Sequence, residues 1–442
     1  MKICVISGSP KGKNSVTLQT VRFLEQKFTG DEYTYIHAGQ RIKALEKDMS
    51  EALRAIDEAD MLLFCYPVYT FIVPSQLHRF IELMKGSGAD FSGKYAAQIC
   101  TSKHFYDVTA MRFITDNLSD MGIKYLGGLS ADTDDLLKPK GRREAADFRK
   151  LIQMRFNNDI SVPAYACPSA KPAMYSRCLE ENTDKSGYEV VVVASIAEGD
   201  TSLRNMTEDF AAAAPFKVKI VNINEYPMSG GCLGCFNCAA SGKCIYKDGF
   251  DEFLRNEIQT ADAMVYAYTV KDHSMGSRMK MFDDRQFCNG HRTVTMGMPV
   301  GYIVNGDLSS EENLRTIMTA RSDVGGNPLA GIACDSEGLR NMAKEMHFLL
   351  KKGITQPKTI YGVGGLKIFR DLIWIMQGMM KADHEFYKEN GFYDFPQKQT
   401  GTILKMKLVG AMLRNPAVMK KVGGKMTEGM LMPYEKIVGK DK

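Results

Sequence analysis

Four cysteines crowd into thirteen positions of this 442-residue chain: Cys232, Cys235, Cys238 and Cys244, within GCLGCFNCAASGKC. Three thiolates at every third residue can wrap one face of a compact inorganic centre, and a turn at Ser241-Gly242 can bring round the fourth. Such a set suits a [4Fe-4S] cluster. It also suits zinc, although structural zinc sites more often pair two separated C-x2-C knuckles. A redox dithiol, or a turn that binds nothing, completes the alternatives.

A second chemical stretch lies near the start, where a strand-like KICVIS runs into Ser7-Gly-Ser-Pro-Lys-Gly-Lys-Asn-Ser-Val-Thr17. Small and hydroxylated residues at a strand-to-helix turn let backbone N–H groups crowd around an anion, and the helix N-terminus adds partial positive charge. Ser9, Asn14, Ser15 and Thr17 can supply further donors, with Lys11 or Lys13 supplying charge. Neither a dinucleotide fingerprint nor a Walker loop is present. A capped turn without a ligand is the competing reading.

Both stretches need elements to position them. Apolar runs of four to eight residues alternate with helical periodicity from residue 1 to about 160, and again from about 188 to 356. That pattern predicts parallel sheets covered on both faces. Ala59-Asp60, Tyr66 and Phe80 correspond to Ala261-Asp262, Tyr268 and Phe282 at an offset of 202, whereas the first strands differ by 187. The roughly fifteen added residues contain the cysteine loop. The expected architecture is α/β: two tandem flavodoxin-like, doubly wound parallel sheets of order 2-1-3-4-5, plus a C-terminal helical extension. The expected boundaries are a first domain over 1–160, a linker over 161–187, a second domain over 188–356 and a basic extension over 357–442.

The third strand of the first half ends in Tyr66-Pro-Val-Tyr-Thr70 and leads into FIVPSQLHRFIE. Together with GSPKGKNS, this segment resembles the flavodoxin-like NAD(P)H-dependent FMN reductase and iron-sulfur flavoprotein family. The resemblance implies phosphate contacts from Ser9, Lys11, Asn14, Ser15 and Thr17, and flavin-ring contacts near Pro67, Val68, Tyr69 and Thr70. The chain departs from the family pattern at Lys11, usually arginine, at Thr70, usually aromatic, and at His78-Arg79. The cysteine loop also has the family's form and place. In iron-sulfur flavoproteins the cluster of one subunit faces the flavin of its neighbour, so a fused pair would form an intrachain pseudo-dimer.

In the second half the corresponding loop reads Ser195-Ile-Ala-Glu-Gly-Asp-Thr-Ser202, and Thr269 replaces Pro67. Glu198 and Asp200 would repel a dianionic phosphate. The two halves therefore divide the labour: the first holds FMN, the second the cysteines. Lys103, after the fourth strand, is a further candidate at the flavin edge.

The remaining features narrow the function class. The net charge is +5, yet from Lys398 onward there are ten Lys/Arg against three Asp/Glu. A solvated face, or one that covers the second domain or mediates a dimer, is expected there, with a peripheral anionic-lipid contact as the alternative and no nucleic-acid partner. No transmembrane segment or export signal is expected, and the odd count of 11 cysteines suits a reducing cytoplasm. The seven histidines form no ligand spacing and read as surface or satisfied residues. Gly362-Val-Gly-Gly365 reads as a turn, and Met376, Met379 and Met380 as core. No residue demands an acid/base role, so no catalytic residue is named. The expectation is a cytoplasmic FMN-dependent oxidoreductase with a [4Fe-4S] cluster in its second domain. NAD(P)H or a reduced protein would be the donor, small molecules or proteins the acceptors, and a homo-oligomer is possible. A non-enzymatic electron carrier and a zinc-stabilised flavin-binding protein are the alternatives.

Overall fold

The computed structural model describes residues 1–163 and 168–422, together with 430, 434 and 437. Residues 164–167 of the predicted linker, and 423–429, 431–433, 435–436 and 438–442 of the predicted extension, lie outside the described residues. The chain forms two compact units, Met1–Phe386 and Tyr387–Lys442.

Ten strands build two sheets in the first unit. The first sheet comprises β1 (Lys2–Ser7), β2 (Glu32–Ile36), β3 (Met61–Pro67), β4 (Tyr95–Ser102) and β5 (Lys124–Asp132). The second comprises β6 (Glu189–Ser195), β7 (Lys217–Asn222), β8 (Ala263–Thr269), β9 (Val300–Asn305) and β10 (Leu329–Ala333). Their orders are β2-β1-β3-β4-β5 and β7-β6-β8-β9-β10, with every pairing parallel. Both sheets thus have the expected order. Equivalent bonds tie the starts of the paired strands β1 and β3, and β6 and β8: Lys2 N–H donates to Asp60 Oδ2 at 2.7 Å, and Glu189 N–H to Asp262 Oδ2 at 2.8 Å.

Alternation along the strands sorts side chains into layers. Ile3 and Val5 join Leu18, Val21 and Ile152 in one layer, while Cys4 and Ile6 face a second core. In the second sheet Val190 and Val192 pack with Leu203 and Met342, whereas Val191 and Val193 enter that same second core. One continuous apolar core therefore runs between the sheets. The helices Ser75–Gly86 and Gly276–Arg285 contribute Phe80, Ile81, Met84, Met279 and Phe282 to it.

Each of these helices is capped by the other half. Ser75 N–H donates to Asp284 Oδ2 at 2.8 Å, and Ser277 N–H to Glu82 Oε1 at 2.8 Å. Burial opposes ionisation of Glu82, but His78, the Ser277 N–H and Arg79 hold its carboxyl at about 2. His78 is fully buried with both ring nitrogens unpartnered, contrary to the expectation of satisfied histidines. Its ring and the carboxylates of Glu82 and Asp272 offer three ligand atoms within 4.8 Å of one another. Arg79, Lys85 and Lys271 already neutralise those carboxylates.

Gly362–Gly365 is not a turn. It lies inside the helix Ile360–Ile375, where Gly362 meets Asp323 and Gly365 meets Phe105 and Val324. A Cβ at either position would overlap these neighbours, so the glycines serve close packing. The described part of the linker, residues 168–187, is irregular and pinned to the second half, with Ala170 N–H bonded to Glu311 and Tyr175 Oη to Asp209.

Candidate functional site

The loop after β1 is built by local bonds. Gly8 N–H reaches Cys65 O at 2.8 Å, Gly12 N–H reaches Ser9 O at 3.2 Å, and Ser15 caps the helix Val16–Lys27 by accepting from Leu18 N–H. A side chain on Gly8 would overlap Leu77, so the loop lies directly on the helix Ser75–Gly86. The first N–H groups of the following helix have no intrahelical acceptor. Ser9, Ser15 and Thr17 are buried around this helix start, with Lys11 alongside.

The segment after β3 turns back sharply. Thr70 and Phe71 have φ of 36° and 75°, a left-handed conformation costly for residues with a Cβ. The other half holds it in place. Lys280, fully buried, donates from Nζ to Tyr69 O at 2.8 Å, to Thr70 Oγ1 at 2.6 Å, and to Asp284. Thr70 Oγ1 donates in turn to Asp284 Oδ1 at 2.6 Å. Sequence reasoning missed this clamp, because Lys280 and Thr70 lie far apart in the chain.

The cysteine loop is braced from beneath. Arg285, 1% exposed, donates to Gly230 O and to both oxygens of Asp248, and stacks on Tyr246 and Phe250. Burial disfavours the Asp248 anion, but Arg285 holds its carboxyl well below the usual range. Arg255 donates to Gly242 O at 2.6 Å. The loop also reaches the first half. Gln76 Nε2 donates to Cys232 O at 3.2 Å, and Lys11 Nζ lies 5.1 Å from the centre of the Phe236 ring. Gly234 has φ +60°, and a Cβ there would overlap the Tyr69 hydroxyl.

These pieces enclose one cavity of about 840 Å³. Small-molecule and cofactor sites span roughly 300–1,000 Å³. Its wall includes Ser9, Lys11, Ser15 and Thr17, then Pro67, Val68, Tyr69 and Thr70, and all four loop cysteines. Asn14 is exposed and outside the wall, on the single turn Gly12–Asn14 that closes the loop. Lys103 also lines the cavity, paired with Asp132 and Asp134 at 2.7 and 2.8 Å.

The electrostatics follow from this enclosure. Burial lowers the Lys11 pKa, while Cys232 and Cys235 raise it. Burial pushes the Cys232 thiol up to about 12 and the Cys238 thiol up to about 11. Tyr69, Thr101 and Ser102 line the cavity with buried hydroxyls that have no hydrogen-bond partner. Orphaned buried hydroxyls beside a lysine and an open helix start fit a polar, anionic ligand such as FMN. No three of the four loop sulfurs come within 4.8 Å of one another. Tetrahedral zinc, with Zn–S near 2.3 Å, would bring them to about 3.8 Å. As placed, the four sulfurs form no compact metal site.

The far wall is apolar. Phe105, Phe287, Ile368, Phe369, Leu372 and Met376 form it, so Met376 faces the cavity; Met380 is core and Met379 is 68% exposed. His291 lies in this wall with Nδ1 2.9 Å from Asp383, which is fully buried, and its ring 4.7 Å from that of Phe369. No sequence spacing linked His291 to Asp383.

In the second half the corresponding loop is a capped turn. Asp200 accepts from Leu203 N–H at 3.1 Å and from Thr269 Oγ1 at 2.5 Å. The carboxylate expected to repel a phosphate thus caps the helix Thr201–Ala213.

Residues 1–111 match the model of the NADPH-dependent FMN reductase family. An iron-sulfur flavoprotein from Archaeoglobus fulgidus is 27% identical over 191 residues, covering 40% of this chain and 86% of the relative. The mouse ribosyldihydronicotinamide dehydrogenase [quinone] is 29% identical over 130 residues, which span 28% of this chain and 54% of that enzyme. Among solved structures, an FMN-dependent NADH-azoreductase from Bacillus anthracis aligns with TM-score 0.28 at 14% identity, covering 36% of this chain and 99% of its own. An NAD(P)H:quinone oxidoreductase from Methanothermobacter marburgensis aligns with TM-score 0.28 at 14% identity, covering 36% of this chain and 96% of its own.

Proposed function

From the match of residues 1–111 to the model of the NADPH-dependent FMN reductase family, we propose that the chain is an FMN-dependent oxidoreductase carrying a [4Fe-4S] cluster. Electrons pass between NAD(P)H, or a reduced protein donor, and a small-molecule or protein acceptor, and the protein works in the cytoplasm. FMN, when bound, supplies the redox chemistry and links two-electron donors to one-electron carriers. The chain supplies the rest. Lys11, Ser9, Ser15, Thr17 and the start of the helix Val16–Lys27 hold the phosphate. The loop Pro67–Thr70, clamped by Lys280, orients the ring. Cys232, Cys235, Cys238 and Cys244 hold the cluster, and Lys11 offsets its thiolate charge. The apolar wall excludes water, and His291, oriented by Asp383, offers a hydrogen bond to the acceptor. The two halves act as a covalent pseudo-dimer derived from a tandem repeat, each keeping one cofactor.

The observation that carries this reading is that residues from the phosphate loop and all four cysteines line one cavity. Anaerobic purification followed by flavin, iron and sulfide assays tests it. The expected result is about one FMN and about four iron and four sulfide per chain. Two flavins per chain would end the divided-cofactor idea, and iron-free protein with bound zinc would end the cluster.

A further inference from the structure

The second compact unit leaves a strongly apolar surface open to water. In the helix Thr400–Leu413 no residue is buried, and Ile403, Leu404, Met406, Leu408 and Met412 are 40–62% exposed. The helix Pro416–Val422 likewise buries nothing, with Met419 46% exposed. A helix of this length is marginal in water without a partner. At 100° per residue, Leu404, Leu408 and Met412 fall within about 80° of one another and form one apolar stripe, with Ile403 and Met406 on the opposite side.

Charge indicates the occupant. Residues 396–422 contain six Lys/Arg and no Asp/Glu. Two copies of such a surface repel each other, whereas an anionic bilayer attracts it. Lys405, Lys407, Arg414, Lys420 and Lys421 have long stems that can lie among acyl chains while their heads reach lipid phosphates. No described helix is long and apolar enough to cross a membrane, so the contact is peripheral. The first unit has an apolar patch of its own: Trp374 is 39% exposed and Ile375 81%, and Ile375 also lines the cavity. Tryptophan favours the boundary between water and lipid.

We propose that this chain docks on the surface of a bilayer containing anionic lipid through residues 400–422. The full-length protein should co-float with vesicles containing about 30% phosphatidylglycerol and not with pure phosphatidylcholine vesicles, and high salt should weaken the binding. Lys405→Glu/Lys407→Glu and Leu404→Glu/Leu408→Glu should each reduce binding at least about tenfold. Both should keep the flavin content and circular dichroism of the parent. A control pair elsewhere, Lys138→Glu/Lys140→Glu, should leave binding unchanged. The proposal fails if anionic vesicles do not retain the protein, or if the control pair weakens binding as much as the helix variants. A concentration-dependent dimer without vesicle binding would also overturn it, assigning the face to a second copy.

Discussion

Lys280 has no solvent exposure, yet it holds together residues from both halves. Its ammonium neutralises Asp284, and Asp284 caps Ser75 and receives Thr70, so one buried ion pair fixes both the start of a helix and the strained ring loop. Removing one partner of such a pair leaves an uncompensated charge. Lys280→Met should therefore cost about 3–5 kcal/mol in urea unfolding. Lys280→Met/Asp284→Leu should recover much of that stability while flavin titration still shows weakened binding, because the ring loop loses its anchor. Equal flavin affinity in the double variant and the parent would remove Lys280 from the account of the site. The sequence could not reveal this clamp, since Lys280 and Thr70 are more than 200 residues apart and each looks ordinary locally.

At the scale of elements, local chemistry was the legible part. The turn from β1 into its helix announces itself because anion binding needs small residues and hydroxyls within a few positions, and the cysteine loop because its ligands are close neighbours. The glycines at 362–365 misled for the opposite reason. They look like chain punctuation but let one helix approach another, which only tertiary contact reveals. The meeting of the cysteine loop with Tyr69 at Gly234 was equally hidden. Gly234→Ala should displace the loop from Tyr69 and lower iron retention in protein reconstituted with iron and sulfide. Tyr69→Phe in the same chain should restore part of it by removing the overlapping hydroxyl, leaving the backbone cost of roughly 1–2 kcal/mol for a left-handed residue with a Cβ. If the second change gave no recovery, the contact would not govern the loop.

At the scale of the molecule, the sheets are joined by charge as well as by apolar packing. His273 of the second half lies between Asp120 of the first and Glu311, 3.1 Å from each. Burial opposes its charge, but the two carboxylates raise its pKa from 6.5 to about 9. A folded-state pKa above the unfolded one gives stability that is complete below about 6.5 and fades as pH rises through about 9. Urea unfolding midpoints should therefore fall between pH 6.5 and 9, and His273→Gln should flatten that part of the profile. An unchanged slope in the variant would place the titration elsewhere. The sheet order was readable because alternating apolar and periodic runs leave few topologies. The joining of the sheets was not, because its residues are polar and scattered.

The exchange of caps between Glu82 and Ser277, and between Asp284 and Ser75, bears on how such a chain can be inherited. A gene fragment encoding either half alone would yield a helix start without its acceptor and an acid without its donor. Recombination that swapped one half for a distant cousin's would need to bring the matching partners with it. The two sheets must therefore travel and diverge as a pair, and substitutions at position 82 are tied to the donors that position 277 presents.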